Sequence, residues 1–99
     1  MIIINIMHSY RDVVAVCDSE LLGKKFEQGK FQLDVKESFY RGEEVDEEKA
    51  ISLIKRMSRE DATFNIVGKK SVNAALKAGI IFEDGIKKIQ DVPFALVLL

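Results

Sequence analysis

Residues 2–7, Ile-Ile-Ile-Asn-Ile-Met, form a short apolar run rich in β-branched side chains, which predicts a buried strand. Polar residues 9–12 supply a turn. Residues 13–17, Val-Val-Ala-Val-Cys, predict a second strand, so the pair forms an antiparallel hairpin. Asp18 or Ser19 is placed to cap a short helix running through Phe26, because a side-chain oxygen there can accept from the unpaired N–H groups of a first turn. Gly29 suits the turn that follows. Phe31, Leu33 and Val35 alternate with Gln32, Asp34 and Lys36, the period of a half-buried strand.

Gly42 interrupts the chain, and Asp46 then opens the best-marked helix, over 47–59. Glu47 and Glu48 fall in its first turn and Lys55, Arg56 and Arg59 near its end, each where the helix dipole favours that charge. Ala50, Ile51, Leu53, Ile54 and Met57 make its apolar stripe. Residues 64–67 are a short apolar segment. A third helix is predicted over 69–78, with Val72, Ala75 and Leu76 inward and Gly79 as its left-handed stop. Residues 80–82 and 86–89 are apolar stretches around an Asp84–Gly85 turn. Pro93 predicts a turn or a sheet edge. Residues 94–99 predict a last, very apolar strand, either paired in the sheet or buried against a partner.

Strands thus stand before, between and after helices. This order predicts the α+β class: a single compact domain over residues 1–99, with a mixed, mostly antiparallel sheet and about three helices. A doubly wound parallel sheet would need more strand–helix–strand units than the chain contains. The chain has 99 residues, room for one core but not for two domains.

Charge narrows the function classes. Fifteen basic and sixteen acidic residues leave a formal charge of −1, which argues against coating nucleic acid through bulk charge and leaves only a local basic patch. Cys17 is the single cysteine, so no internal disulfide and no Cys-rich zinc site is expected, in keeping with a reducing cytoplasm. The apolar N-terminus lacks the flanks of a signal peptide. No apolar run approaches the roughly 20 residues that cross a bilayer. No cofactor and no metal are expected.

Gly68-Lys69-Lys70-Ser71 follows an apolar segment and opens a helix, where free N–H groups beside lysines can hold a phosphate. A nucleotide-binding P-loop is excluded, since Thr63 stands where its first glycine belongs. Lys24 and Lys25 follow Gly23 and would join Lys69 and Lys70 in one patch if the fold brought them together; otherwise they complement a helix end. Phe39-Tyr40-Arg41 combines aromatic rings with a cation, as RNA-binding surfaces do, although anchoring in the core explains the rings as well. His8 is the lone histidine, which excludes two-histidine zinc sites. Cys17 ends an apolar run beside Asp18 and reads as a packed thiol rather than a nucleophile. The acidic run 43–48 lacks calcium-loop spacing and is explained by a helix N-terminus.

Taken together, Ala15-Val16-Cys17-Asp18, Leu21-Leu22-Gly23-Lys24, Phe39-Tyr40-Arg41-Gly42-Glu43, Val45-Asp46-Glu47-Glu48, Asn65-Ile66-Val67-Gly68 and Asp91-Val92-Pro93 resemble a small archaeal family, domain of unknown function 424. The resemblance covers nearly the whole chain. It implies an archaeal, cytoplasmic, single-domain protein, in the company of information-processing proteins such as those of translation or ribosome assembly. It also implies a polar stretch, with a histidine and a glutamine, after the proline, where this chain carries Phe94 and Leu96. No catalytic residue is carried over.

The first expectation is a non-catalytic module that binds RNA or a ribonucleoprotein through Lys24, Lys25, Arg41, Lys69 and Lys70. The alternative is a protein-interaction domain, homodimeric through Phe94, Leu96 and Leu98. An enzyme built on His8, Cys17 or Asp18 is the least supported, because one histidine and one cysteine leave few constellations.

Overall fold

Alternate residues of the first strand serve two different cores. A computed structural model describes residues 1–98. Strand β1 (Ile2–Met7) turns Ile2 and Ile4 to one face of the sheet and Ile3 to the other, and all three are buried. Three isoleucines stand in succession there because both faces are covered.

β1 pairs antiparallel with β2 (Val13–Asp18), the hairpin expected from the pattern. Next come β3 (Lys25–Gln28), β4 (Phe31–Asp34), the short helix α1 (Glu37–Tyr40) and β5 (Glu43–Val45). Helix α2 (Glu47–Arg59) leads to β6 (Thr63–Val67), and α3 (Lys69–Ala78) to β7 (Lys87–Ile89) and β8 (Val92–Val97). The main sheet runs β5-β1-β2-β6-β8-β7, and β3–β4 form a separate hairpin. Only β2 and β6 pair in parallel among these neighbours; the others are antiparallel. This is the α+β arrangement, with a mixed, mostly antiparallel sheet.

The larger core lies under α2 and α3. Val14, Val16, Phe64 and Ile66 of the sheet meet Ala50, Ile54 and Met57 of α2 and Val72 and Ala75 of α3. On the opposite face Ile3, Ala15, Cys17 and Val67 meet Val35 and Tyr40, with Phe26, Leu33 and Phe39 at the margin. Thus the rings of Phe39 and Tyr40 pack edge to face in the smaller core, with centroids 5.0 Å apart, and are not a stacking surface.

The caps of the two long helices follow the pattern. Asp46 Oδ1 accepts from Lys49 N at 2.9 Å, and α3 ends at Gly79 with φ 79°. Two expectations are corrected. The helix through Phe26 is a single 3₁₀ turn, Ser19–Leu21, without a side-chain cap, and Phe26 lies in β3. Leu21, Leu22 and Phe26 all reach the smaller core, which an extended chain turning at Gly23 (φ 84°) permits. Pro93 is not at an edge: β8 lies between β6 and β7. Its carbonyl accepts from Gly68 N at 2.8 Å, so its missing N–H falls just past the last ladder residue of β6. The expected strand over 94–99 is β8, starting at Val92; Leu99 lies outside the described residues.

Candidate functional site

The carboxyl ends of the parallel pair β2–β6 are where an open sheet offers a crevice to a ligand. Here β2 ends on Asp18 and β6 runs through Gly68 into α3. Asp18 is buried, and its carboxylate accepts from Ser71 N at 2.8 Å, Ser71 Oγ at 2.8 Å and Lys70 N at 3.1 Å. The chain's own carboxylate therefore fills the anion position at the start of α3. Two of the N–H groups that could have held a phosphate, those of Lys70 and Ser71, are occupied.

Gly68 makes this closure possible. Its φ is 108°, and a Cβ there would stand 2.4 Å from Asp18 Cγ. Beside it lies a cleft of about 210 Å³ lined by Glu20, Leu21, Lys69, Lys70, Asp91 and Val92, among others. The charges in it are mixed. Lys70 Nζ stands 3.6 Å from Glu20 Oε2, with both side chains more than half exposed, a weak pair. A hydrogen bond from its own backbone, and then the Lys70 ammonium, hold the Glu20 carboxyl below its usual range.

Of the five cations singled out from the sequence, Arg41 stands apart from Lys69 and Lys70. Lys69 and Lys70 open α3 on the helix side of the sheet. Arg41 ends α1, which packs on the opposite face, and it pairs with Glu37. Lys25 begins β3 opposite Asp34. Lys24 lies between the Ser19–Leu21 turn and β3, its N–H donating to Leu21 O at 3.0 Å. Among the described residues Lys24, Lys25 and Lys69 have no ion-pair partner.

The apolar tail divides by face. Ala95 and Val97 point to the larger core, while Phe94 and, by the strand alternation, Leu96 point the other way; Leu98 follows the end of the strand. Phe94 packs at the margin of the smaller core, but Leu96 is 56% and Leu98 71% exposed. Leu96 stands across from Asn65 of β6. Helix α1 packs on β1 and β2 and leaves this stretch of sheet open.

Among the described residues no nucleophile–base set forms. His8 pairs with Asp12 at 3.3 Å, at the opposite end of the β1–β2 hairpin from Cys17 and Asp18. Cys17 and Asp18 face opposite sides of the sheet. Burial, with Asp18 and Glu20 adding to it, pushes the Cys17 thiol up to about 12, so it stays protonated. Burial likewise raises the Tyr40 phenol to about 12. Among the described residues no group of His, Cys, Asp and Glu side chains is arranged to hold a metal ion. No described helix is long and apolar enough to cross a membrane.

The role of Asp18 as the anchor of α3 escaped the sequence reading. Its partner lies 53 residues away, and no local spacing marks it.

A family model described as "Protein of unknown function (DUF424)" matches residues 7–99. The fold is similar to that of an uncharacterized conserved protein from Methanopyrus kandleri. The TM-score is 0.87 at 25% sequence identity, covering 97% of this chain and 89% of that chain. No curated protein matches.

Proposed function

The chain belongs to the DUF424 family, and from that premise we propose that it is a non-catalytic interaction module, self-associating through the open part of its sheet around Leu96 and Leu98. One observation carries this reading. Leu96 of an interior strand and Leu98 just past its end are 56% and 71% exposed, beside the strands β1 and β2 on which α1 packs. Full burial of a leucine contributes about 1.5–3 kcal/mol. A twofold contact would bury each of them once in both copies. The formal charge of −1 leaves little repulsion between copies.

Light scattering tests it. The unaltered protein should show a mass approaching twice that of the monomer, and Leu98→Asp should return it to the monomer. At concentrations low enough for both to be monomeric, variant and parent should unfold alike, since Leu98 is mostly exposed. A parent that stays monomeric at millimolar concentration defeats the reading.

A second reading keeps RNA or a ribonucleoprotein, in the setting of translation, as the partner. It is favoured by Lys24, Lys25 and Lys69, none of which has an ion-pair partner among the described residues. Its test is salt-dependent RNA binding that weakens with Lys24→Glu and Lys69→Glu.

A further inference from the structure

Among the depressions of the surface, those around Lys87 differ from the other charged ones in their lining. The cleft beside Asp18 mixes Lys69 and Lys70 with Glu20 and Asp91. Another, at the β1–β2 turn, mixes Arg11 with Asp12, Glu60 and Asp61. By contrast, a slot of about 150 Å³ is lined by Gln28, Phe31, Lys87, Lys88, Ile89 and Phe94, and it contains no carboxylate. A second depression, also about 150 Å³, adjoins it through the shared Lys87 and Phe94 and extends to Leu96. It contains no carboxylate either.

We propose that this groove, from Phe31 to Phe94, binds single-stranded nucleic acid, with a base stacked on Phe31 and phosphates held by Lys87 and, at the rim, Lys88. The match is chemical. A single strand presents flat apolar rings and a regular anionic backbone. The groove presents an open aromatic ring, a second ring at its floor and two ammonium groups.

Its parts are held in place before any ligand arrives. Phe31 is 72% exposed, yet its backbone is set by pairing with Gln28 across the Gly29 turn. The Gln28 side chain in turn accepts from Gln90 N at 2.8 Å, tying the hairpin to the β7–β8 turn. Lys87 stands directly across from Phe94 on the same face; Lys88, next on the edge strand, alternates to the other face and lines the slot only at its rim. Glu27, the nearest acidic residue in β3, falls on the other face of the hairpin by the two-residue period. The site is independent of Lys24, Lys25 and Lys69. The near-neutral whole leaves attraction for a polyanion to local patches such as this one.

Fluorescence anisotropy with labelled oligoadenylate and oligouridylate at low salt tests the proposal on the full chain. The unaltered protein should bind both. Phe31→Ala should weaken binding about tenfold, through loss of one stacked base, and Phe31→Tyr should restore it. Paired reversal, Lys87→Glu with Lys88→Glu, should flatten the slope of log affinity against log salt by about 1.4, as two phosphates on a single strand require. Lys24→Glu and Lys69→Glu should leave binding unchanged. The proposal is overturned if neither oligonucleotide binds, or if Phe31→Ala binds as tightly as the parent. It also falls if only the Lys24 and Lys69 reversals weaken binding, which would favour the other RNA reading. A Phe31→Ala protein that loses self-association while keeping its nucleic-acid affinity would assign the ring to a second copy of the chain.

Discussion

Asp18, Gly68 and Ser71 form a unit whose members cannot be changed independently. Asp18→Ala strips the acceptor from two backbone N–H groups and from the buried Ser71 hydroxyl. It should cost about 3 kcal/mol in urea unfolding, from the lost cap and the unpaired buried donors. Gly68→Ala should cost about 2 kcal/mol or more, because the new Cβ meets the Asp18 carboxylate and the backbone is left-handed. In the double variant the clash has gone, so the two losses should sum to less than their separate values. A fully additive cycle would show that the carboxylate is not what excludes a side chain at position 68.

Cys17 makes a separate prediction at the same scale. Its thiol deprotonates near 9 in the unfolded chain but is pushed up to about 12 in the fold. Between those values the unfolded chain has released a proton that the folded chain still holds. Stability is thus complete below pH 9 and falls as pH rises toward 12. Tyr40, raised to about 12 from 10, adds a loss of the same sign at the upper end. In Cys17→Ala the fall of the urea midpoint above pH 9 should be shallower than in the parent. An identical slope in both proteins would mean the thiolate is not penalised in the fold.

At the scale of elements, α2 orders its own residues by burial. Ile54 is fully buried, whereas Leu53, read from the sequence as part of the same stripe, is only partly buried. Ile54→Ala should therefore cost about 3–4 kcal/mol, Leu53→Ala about half that, and Asp46→Ala about 1 kcal/mol through the cap. Reversal of the Ile54 and Leu53 costs would mean the helix is rotated about its axis. The two long helices were legible because their signals are local: Asp46 at one start, Gly79 at the other end, and apolar residues three and four apart. Residues 19–28 were not. Leu21, Leu22 and Phe26 carry a spacing compatible with a helix, and what makes them a turn and a strand is contact with a face of the sheet formed by distant residues. Phe31 likewise has the alternation of a half-buried strand, but its hairpin extends past the cover and leaves the ring open.

For the whole molecule, what positions the candidate sites is the order of strands, which no local pattern encodes. The parallel β2–β6 pair is joined through a hairpin, two helices and β5. That crossover brings Asp18 to the start of α3 and closes the anion site read from Gly68-Lys69-Lys70-Ser71. The same sheet separates Lys69 and Lys70 from Arg41. The apolar tail was legible as a strand, and its residues alternate between a covered and an open face. Which half would be open depends on how far α1 reaches, a property of the assembled fold. Self-association through that open half is the central claim. Sedimentation velocity of the unaltered protein, from micromolar to millimolar concentration and beside Leu96→Glu, tests it most directly. The account expects the parent's sedimentation coefficient to rise with concentration toward that of a dimer while the variant stays at the monomer value. A parent that sediments as a monomer throughout, indistinguishable from Leu96→Glu, would contradict it.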